Sequence, residues 1–336
     1  MNKQLAHKFC VAPMMDWTDQ HCRVFHRAMT SRALLYTEMV TANAVVHGDQ
    51  SRLLGYSDIE HPVALQLGGS DPTLLAEAAQ IGEAFGYDEI NLNVGCPSDR
   101  VQNGRFGACL MREPDLVARC VAAMAEVVQV PVTVKCRIGV DNQDSEADLK
   151  KFIQIVYNAG CSIFIIHARK AWLKGLNPKE NREIPPLDYE RVYRLKAEYP
   201  DATIILNGGI PNLQEALYHL GYVDGVMLGR AAYQKPFLLR EVDRLIFGEK
   251  SVPLCSKEIV MSLIPYIKEQ LTKGVPLHKM TRHMLGMFQG MPGARAWRQR
   301  LSDNTVREKA TLDTIHHALE AVTGAACQHA EYDLYH

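Results

Sequence analysis

The sequence contains no CxxC pair and no Cys/His spacing of the kind that holds a zinc finger. Its nine cysteines are an odd, scattered set: Cys10, Cys22, Cys96, Cys109, Cys120, Cys136, Cys161, Cys255 and Cys327. That excludes a disulfide framework and a structural zinc site, and points to reduced thiols in a cytoplasmic protein with no metal. No run of about 18 apolar residues is present, so no membrane span is expected. Lys3 and Lys8 are followed too soon by Pro13 and Asp16 for a signal peptide. Charge of one sign is also missing: 37 Lys and Arg face 38 Asp and Glu. Whole-chain charge therefore does not recruit a polyanion, and any nucleic-acid surface must be a local patch. There is no solenoid repeat and no low-complexity tract.

What is present is an alternation. Eight apolar runs, 9–15, 34–40, 62–67, 89–94, 131–138, 162–167, 203–207 and 225–228, are separated by helix-like stretches. Runs such as Ile163-Phe164-Ile165-Ile166 are apolar on both faces, as parallel strands covered by helices require. Helices are expected over 72–85, 114–128, 145–159, 187–199 and 212–220, with Asp71 as an N-cap and Gly86 and Gly160 as stops. Eight alternating units favour a (β/α)8 TIM barrel, which takes roughly 250 residues. The pattern changes near residue 245. Helical stretches at 256–273, 277–289, 294–301 and 306–322 indicate a small all-helical C-terminal domain, giving units 1–245 and 246–336.

Polar residues gather where the runs end: Asp16, Glu38, Gln66, Asn93, Lys135, Arg137, His167, Asn207 and Arg230. In a barrel these ends form one rim, where active sites are built. Asn207-Gly208-Gly209 after the seventh run and Gly229-Arg230 after the eighth suit a phosphate, because glycines let backbone N–H groups approach it and an arginine forks onto it. Gln66 suits the edge of a pyrimidine-like ring, and Lys135 would stabilise an anionic reduced ring. His167 closes the sixth run. Cys96 lies in a Gly-Cys-Pro turn at the rim, unlike the cysteines in apolar strands, and a protonated thiol there is a candidate general acid. Two basic stretches offer an RNA surface. One runs from Arg169 to Arg182 and includes Lys170, Lys174 and Lys179. The other, 279–309, holds Arg282, Arg295, Arg298, Arg300 and Arg307, with Trp297 among them as a possible stacking platform.

Taken together, Val11-Ala12-Pro13-Met14-Met15-Asp16-Trp17, Leu92-Asn93-Val94-Gly95-Cys96-Pro97-Ser98, Val134-Lys135-Cys136-Arg137, Ile166-His167-Ala168-Arg169, Asn207-Gly208-Gly209 and Gly229-Arg230 resemble the motifs of the tRNA-dihydrouridine synthases. Ser98-Asp99-Arg100-Val101-Gln102 and Pro292-Gly293-Ala294-Arg295-Ala296-Trp297-Arg298 resemble the bacterial subfamily acting on uridines 20 and 20a. The resemblance implies FMN held by Pro13, Met14, Met15, Gln66, Lys135, His167, Asn207, Gly208, Gly209, Gly229 and Arg230. It implies NADPH as reductant, hydride transfer to C6 of a uracil and protonation of C5 by Cys96. Asn93 would contact the base, and Lys179, Arg182, Arg295 and Arg298 the tRNA; a monomer is expected. Two other readings stay open: an FMN barrel acting on a free dihydropyrimidine or dihydroorotate, and a flavin-free RNA-binding barrel.

Overall fold

The computed structural model describes residues 7–250, 252–302 and 311–322. The apolar runs form parallel strands β1 (Phe9–Val11), β2 (Leu34–Tyr36), β3 (Val63–Gly68), β4 (Glu89–Asn93), β5 (Val132–Arg137), β6 (Ile163–His167), β7 (Thr203–Asn207) and β8 (Gly225–Leu228). Each pairs with its successor, and β8 returns to β1 with Met227 opposite Cys10. The ring is closed, so the expected (β/α)8 TIM barrel is the observed one.

Alternation along each strand divides the core in two. On β4, Ile90 and Leu92 face outward into the apolar layer under the helices. Glu89, Asn91 and Asn93 face inward. A smaller cluster of Cys10, Ala12, Leu34, Tyr36, Ala64, Ile165, Ile205 and Met227 fills the barrel interior.

Two runs are broken relative to expectation. The first strand stops at Val11, because after Ala12 donates to the Leu228 carbonyl (2.8 Å) Pro13 has no N–H to continue the ladder. Pro13 to Met15 are thus freed to turn into the barrel mouth. The second run halts at Tyr36 and resumes as a two-residue strand, Val40–Thr41, paired with Leu67 and Gly68.

The helices follow their caps. Asp71 accepts from the amides of Thr73 and Leu74 to start Pro72–Phe85, and Gly86 ends it at φ 100°. After the barrel come helices Ser256–Thr272, Leu277–Thr281, Ala294–Ser302 and Leu312–Glu320. The helix expected over 277–289 is cut to Leu277–Thr281, with turns through a stretch holding Gly286 and Gly290. Of the stretch expected at 306–322, residues 306–310 lie outside the described residues, as do Arg307, Lys309 and Cys327.

Trp297 corrects one expectation. It is fully buried, packs edge-on against Phe288 at 4.8 Å between ring centres and donates its indole N–H to the Met284 carbonyl at 3.0 Å. It is the centre of the helical domain's core and cannot stack on a base. Ala294, Trp297 and Leu301 form the inward stripe of their helix, which leaves Arg295 and Arg298 exposed.

The helical domain docks beside the barrel mouth. His283 pairs with Asp19 at 3.0 Å, Arg282 donates to the Asp16 carbonyl at 2.9 Å, and the Tyr266 hydroxyl meets His21 at 2.7 Å. All three contacts grip the segment that follows β1, next to Met14 and Met15.

Candidate active site

The strand ends open into a cavity of about 690 Å³, a volume typical of cofactor sites. Its lining brings together Pro13, Met14, Met15, Gln66, Asn93, Cys96, Lys135, Arg182, His167, Asn207, Gly208, Gly209, Gly229 and Arg230, all of them expected from the sequence. Lys179, Arg295 and Arg298 are not in the lining; they lie exposed on the surface.

One wall is the Cys96 turn. The Asn93 side-chain carbonyl accepts from the amides of Gly95 (3.1 Å) and Cys96 (3.0 Å). Arg137 Nε donates to the Gly95 carbonyl at 2.8 Å, and the Ala108 amide donates to the Cys96 carbonyl at 2.9 Å. Every one of these restraints acts on backbone; the thiol itself donates to the Ser98 hydroxyl at 3.5 Å and lies within electrostatic reach of Lys135, Arg137 and Arg182. Cys96 is half-buried, whereas Cys10, Cys22, Cys120, Cys136, Cys161 and Cys255 are buried. Cys109 shares the half-buried state but directs its thiol to the Phe106 carbonyl at 3.1 Å and does not line the cavity.

The glycine cradle follows β7, three strands round the ring from β4, which carries the Cys96 turn. Gly208 and Gly209 have φ of 115° and 72°, a region that L side chains avoid. A Cβ on Gly208 would also press the His167 ring at 3.2 Å. Gly229, at φ −106°, carries no such demand. Arg230 lines the cavity, but its guanidinium donates to Glu183 at 2.7 Å, across from the loop after β6.

Between the two walls the charge is of one sign. Lys135, Arg137, Arg182, Arg230 and Lys235 line the cavity, and among the described residues no carboxylate does. Burial, then Arg137, pulls the Lys135 ammonium down to about 8, while its Nζ donates to Asn207 at 3.0 Å. Burial pulls Arg137 down to about 10. Burial, with Arg137 and Lys135 nearby, holds the His167 imidazole well below its usual range and hence neutral. His167 Nδ1 is buried and finds no hydrogen-bond partner. A cationic slot with an orphaned ring nitrogen and an N–H cradle fits an anionic, ring-bearing ligand with a phosphate.

A family profile described as dihydrouridine synthase (Dus) matches residues 10–323. The chain belongs to the dihydrouridine synthase family. It is 57% identical over 316 residues to the tRNA-dihydrouridine(20/20a) synthase of Vibrio cholerae, covering 94% of this chain and 96% of that protein. It is 58% identical over 316 residues to the enzyme of the same name from Escherichia coli K12, covering 94% and 91%. The counterpart in Shewanella oneidensis is 56% identical over 321 residues, covering 96% of both chains.

Within this family member, some lining residues were not expected as site residues: Trp17, Met39, Pro178, Gln234 and Lys235. Arg137, expected at the rim, is in the lining because it alternates with Thr133 and Lys135 on β5 and so faces the same way. Pro178 reaches the mouth only through the long loop after β6, which no local pattern announces. No helix among the described residues is long and apolar enough to cross a membrane.

Proposed function

We propose that this protein reduces a uridine in tRNA to 5,6-dihydrouridine, at positions 20 and 20a as the names of its relatives suggest, with FMN as cofactor and NADPH as reductant. The observation that carries the reading is a half-buried thiol and a glycine cradle lining one cationic cavity. FMN, when bound, supplies the hydride that C6 receives. Gly208, Gly209, Gly229 and Arg230 hold its phosphate, with Arg230 exchanging Glu183 for the incoming anion. Pro13 to Met15, Gln66, Lys135, His167 and Asn207 surround its ring, and the Lys135 cation compensates negative charge there.

The base must leave its stack to enter the slot. Asn93 and Lys135 orient it. The Cys96 thiol gives its proton to C5, so one hydride and one proton saturate the C5–C6 bond, and the thiolate regains a proton from solvent at the open mouth. Lys179, Arg182, Arg295 and Arg298 contact tRNA phosphates, and the helical domain, residues 246–336, orients the tRNA against the barrel, residues 1–245. The protein works as a monomer in the cytoplasm.

The test is dihydrouridine formation in unmodified tRNA by purified protein with NADPH. Cys96→Ala keeps the backbone bonds of the turn, and therefore the flavin absorbance, but lowers turnover by about 10² to 10⁴, the usual contribution of a positioned acid. Turnover on free uridine matching that on tRNA, or full activity of Cys96→Ala, would overturn the proposal.

A further inference from the structure

A continuous hydrogen-bond ladder runs up the inside of the barrel from its closed end to the Cys96 turn. Glu89 Oε1 accepts from the Tyr36 hydroxyl and the Thr133 hydroxyl, each at 2.6 Å, and Glu89 Oε2 meets His7 Nε2 at 2.6 Å. Thr133 Oγ1 accepts from Asn91 Nδ2 at 2.8 Å. Asn91 Oδ1 accepts from Gln66 Nε2 at 2.8 Å, and Gln66 Oε1 accepts from Asn93 Nδ2 at 2.9 Å. Asn93 Oδ1 then accepts the amides of Gly95 and Cys96. Glu89, Asn91 and Thr133 are fully buried, so the rungs they share cannot exchange their partners for water, while Gln66 and Asn93 reach the cavity wall.

The polarity of this ladder agrees from both ends: the Gly95 and Cys96 amides can only donate to Asn93, and the Thr133 hydroxyl donates to Glu89. A carboxylate only accepts, so the single Thr133 proton is committed to Glu89 and its oxygen must serve Asn91. Asn91 then shows its carbonyl to Gln66, Gln66 shows its carbonyl to Asn93, and Asn93 shows its carbonyl to the Cys96 turn. Were the sense reversed, the Asn93 NH2 would confront two backbone N–H groups and the turn would lose its clamp. The same sense leaves Gln66 and Asn93 each with one uncommitted N–H at the cavity wall. That wall therefore presents donors, which match a ring carbonyl and mismatch an exocyclic amine.

We propose that Glu89 and Thr133 are positioning residues: from the far end of the barrel they set the amide orientation of Gln66 and Asn93 and so hold the Cys96 thiol in place. The consequence for turnover rests on the function proposed above; the consequence for the turn does not.

The test compares Thr133→Val, Thr133→Ser and Tyr36→Phe in the full-length flavoprotein. Valine matches threonine in shape and removes the rung. Serine restores it. Tyr36→Phe removes the other donor to the same Glu89 oxygen without touching the ladder. Two readouts are taken: single-turnover dihydrouridine formation with saturating tRNA, and the iodoacetamide alkylation rate of Cys96 resolved by peptide mass spectrometry. Thr133→Val slows single turnover about tenfold with little change in tRNA affinity, the scale of one buried hydrogen bond. It also speeds Cys96 alkylation roughly threefold as the turn loosens. Thr133→Ser and Tyr36→Phe stay within about twofold of wild type in both. Thr133→Cys, a weaker donor and acceptor, falls between valine and serine and serves if the valine variant does not fold. Unchanged alkylation in Thr133→Val, or an equal loss in Tyr36→Phe or Thr133→Ser, overturns the proposal. If wild type forms no dihydrouridine, the proposed function fails while the alkylation order still decides the ladder.

Discussion

Replacing Lys135 by methionine should make the ligand-free protein more stable at neutral pH while impairing its function. Burial pulls the ammonium from its ordinary 10.5 to about 8. The unfolded chain therefore binds this proton more tightly than the folded one, and charge on Lys135 opposes folding. The cost is fully present below pH 8, fades as pH rises to 10.5 and is absent above it. A gap of that size corresponds to about 3 kcal/mol. Against this, the Asn207 carbonyl loses its ammonium donor, a loss of about 1 kcal/mol for a group that can turn to water in the cavity. Methionine fills a similar volume, so the net gain is about 2 kcal/mol. With an unfolding entropy of about 2 cal/mol/K per residue over 336 residues, that raises Tm by roughly 3 °C. The assay is a thermal melt of flavin-free wild type and Lys135→Met at pH 7 and pH 10.5. The gain should appear at pH 7 and vanish, or reverse by about 1 kcal/mol, at pH 10.5. A variant no more stable than wild type at pH 7, or an equal gain at both pH values, would refute the reasoning.

The glycines make a paired prediction. Gly208→Ala forces a side chain into φ 115° and against His167, and should cost about 1–3 kcal/mol and weaken FMN binding measurably by flavin fluorescence. Gly229→Ala, whose Cβ would meet only Met14 and Ala12 at 3.4 Å or more, should retain FMN affinity within about threefold. For RNA, Arg182→Gln and Arg298→Gln should each reduce the slope of log Kd against log salt by about 1, as measured by fluorescence anisotropy with tRNA. A slope unchanged in both would remove these arginines from the phosphate contacts.

Barrel and rim were legible because both depend on local pattern. A strand buried on two faces is apolar in sequence, and a rim residue is polar where such a run stops. Cys96 stood out for the same reason: Gly95 and Pro97 mark a turn just after Asn93. Trp297 was misread although its helix carried the signal. The spacing Ala294, Trp297, Leu301 is one helical face, and the arginines around it occupy the others. What could not be read was pairing over distance. Gln66 stands beside Asn91 only through the register of β3 on β4, which also commits part of its amide before any ring arrives. Arg230 meets Glu183 only because the loop after β6 folds over the mouth. Interior polarity at Glu89 and Thr133 looks, in one dimension, like an interruption of an apolar run.

The central claim concerns faces: the thiol and the phosphate-anchored ring lie on opposite sides of the uracil. Turnover in D2O with NADPH deuterated at its hydride-donating position places one deuterium at C5 and one at C6, and proton coupling in the released dihydrouridine nucleoside reports their relative orientation. Deuteriums on opposite faces are the result expected if the Cys96 thiol and the ring anchored at Gly208 and Gly209 approach the base from different sides. Deuteriums on the same face would mean that proton and hydride arrive from one side, and the assignment of Cys96 as the acid would be wrong.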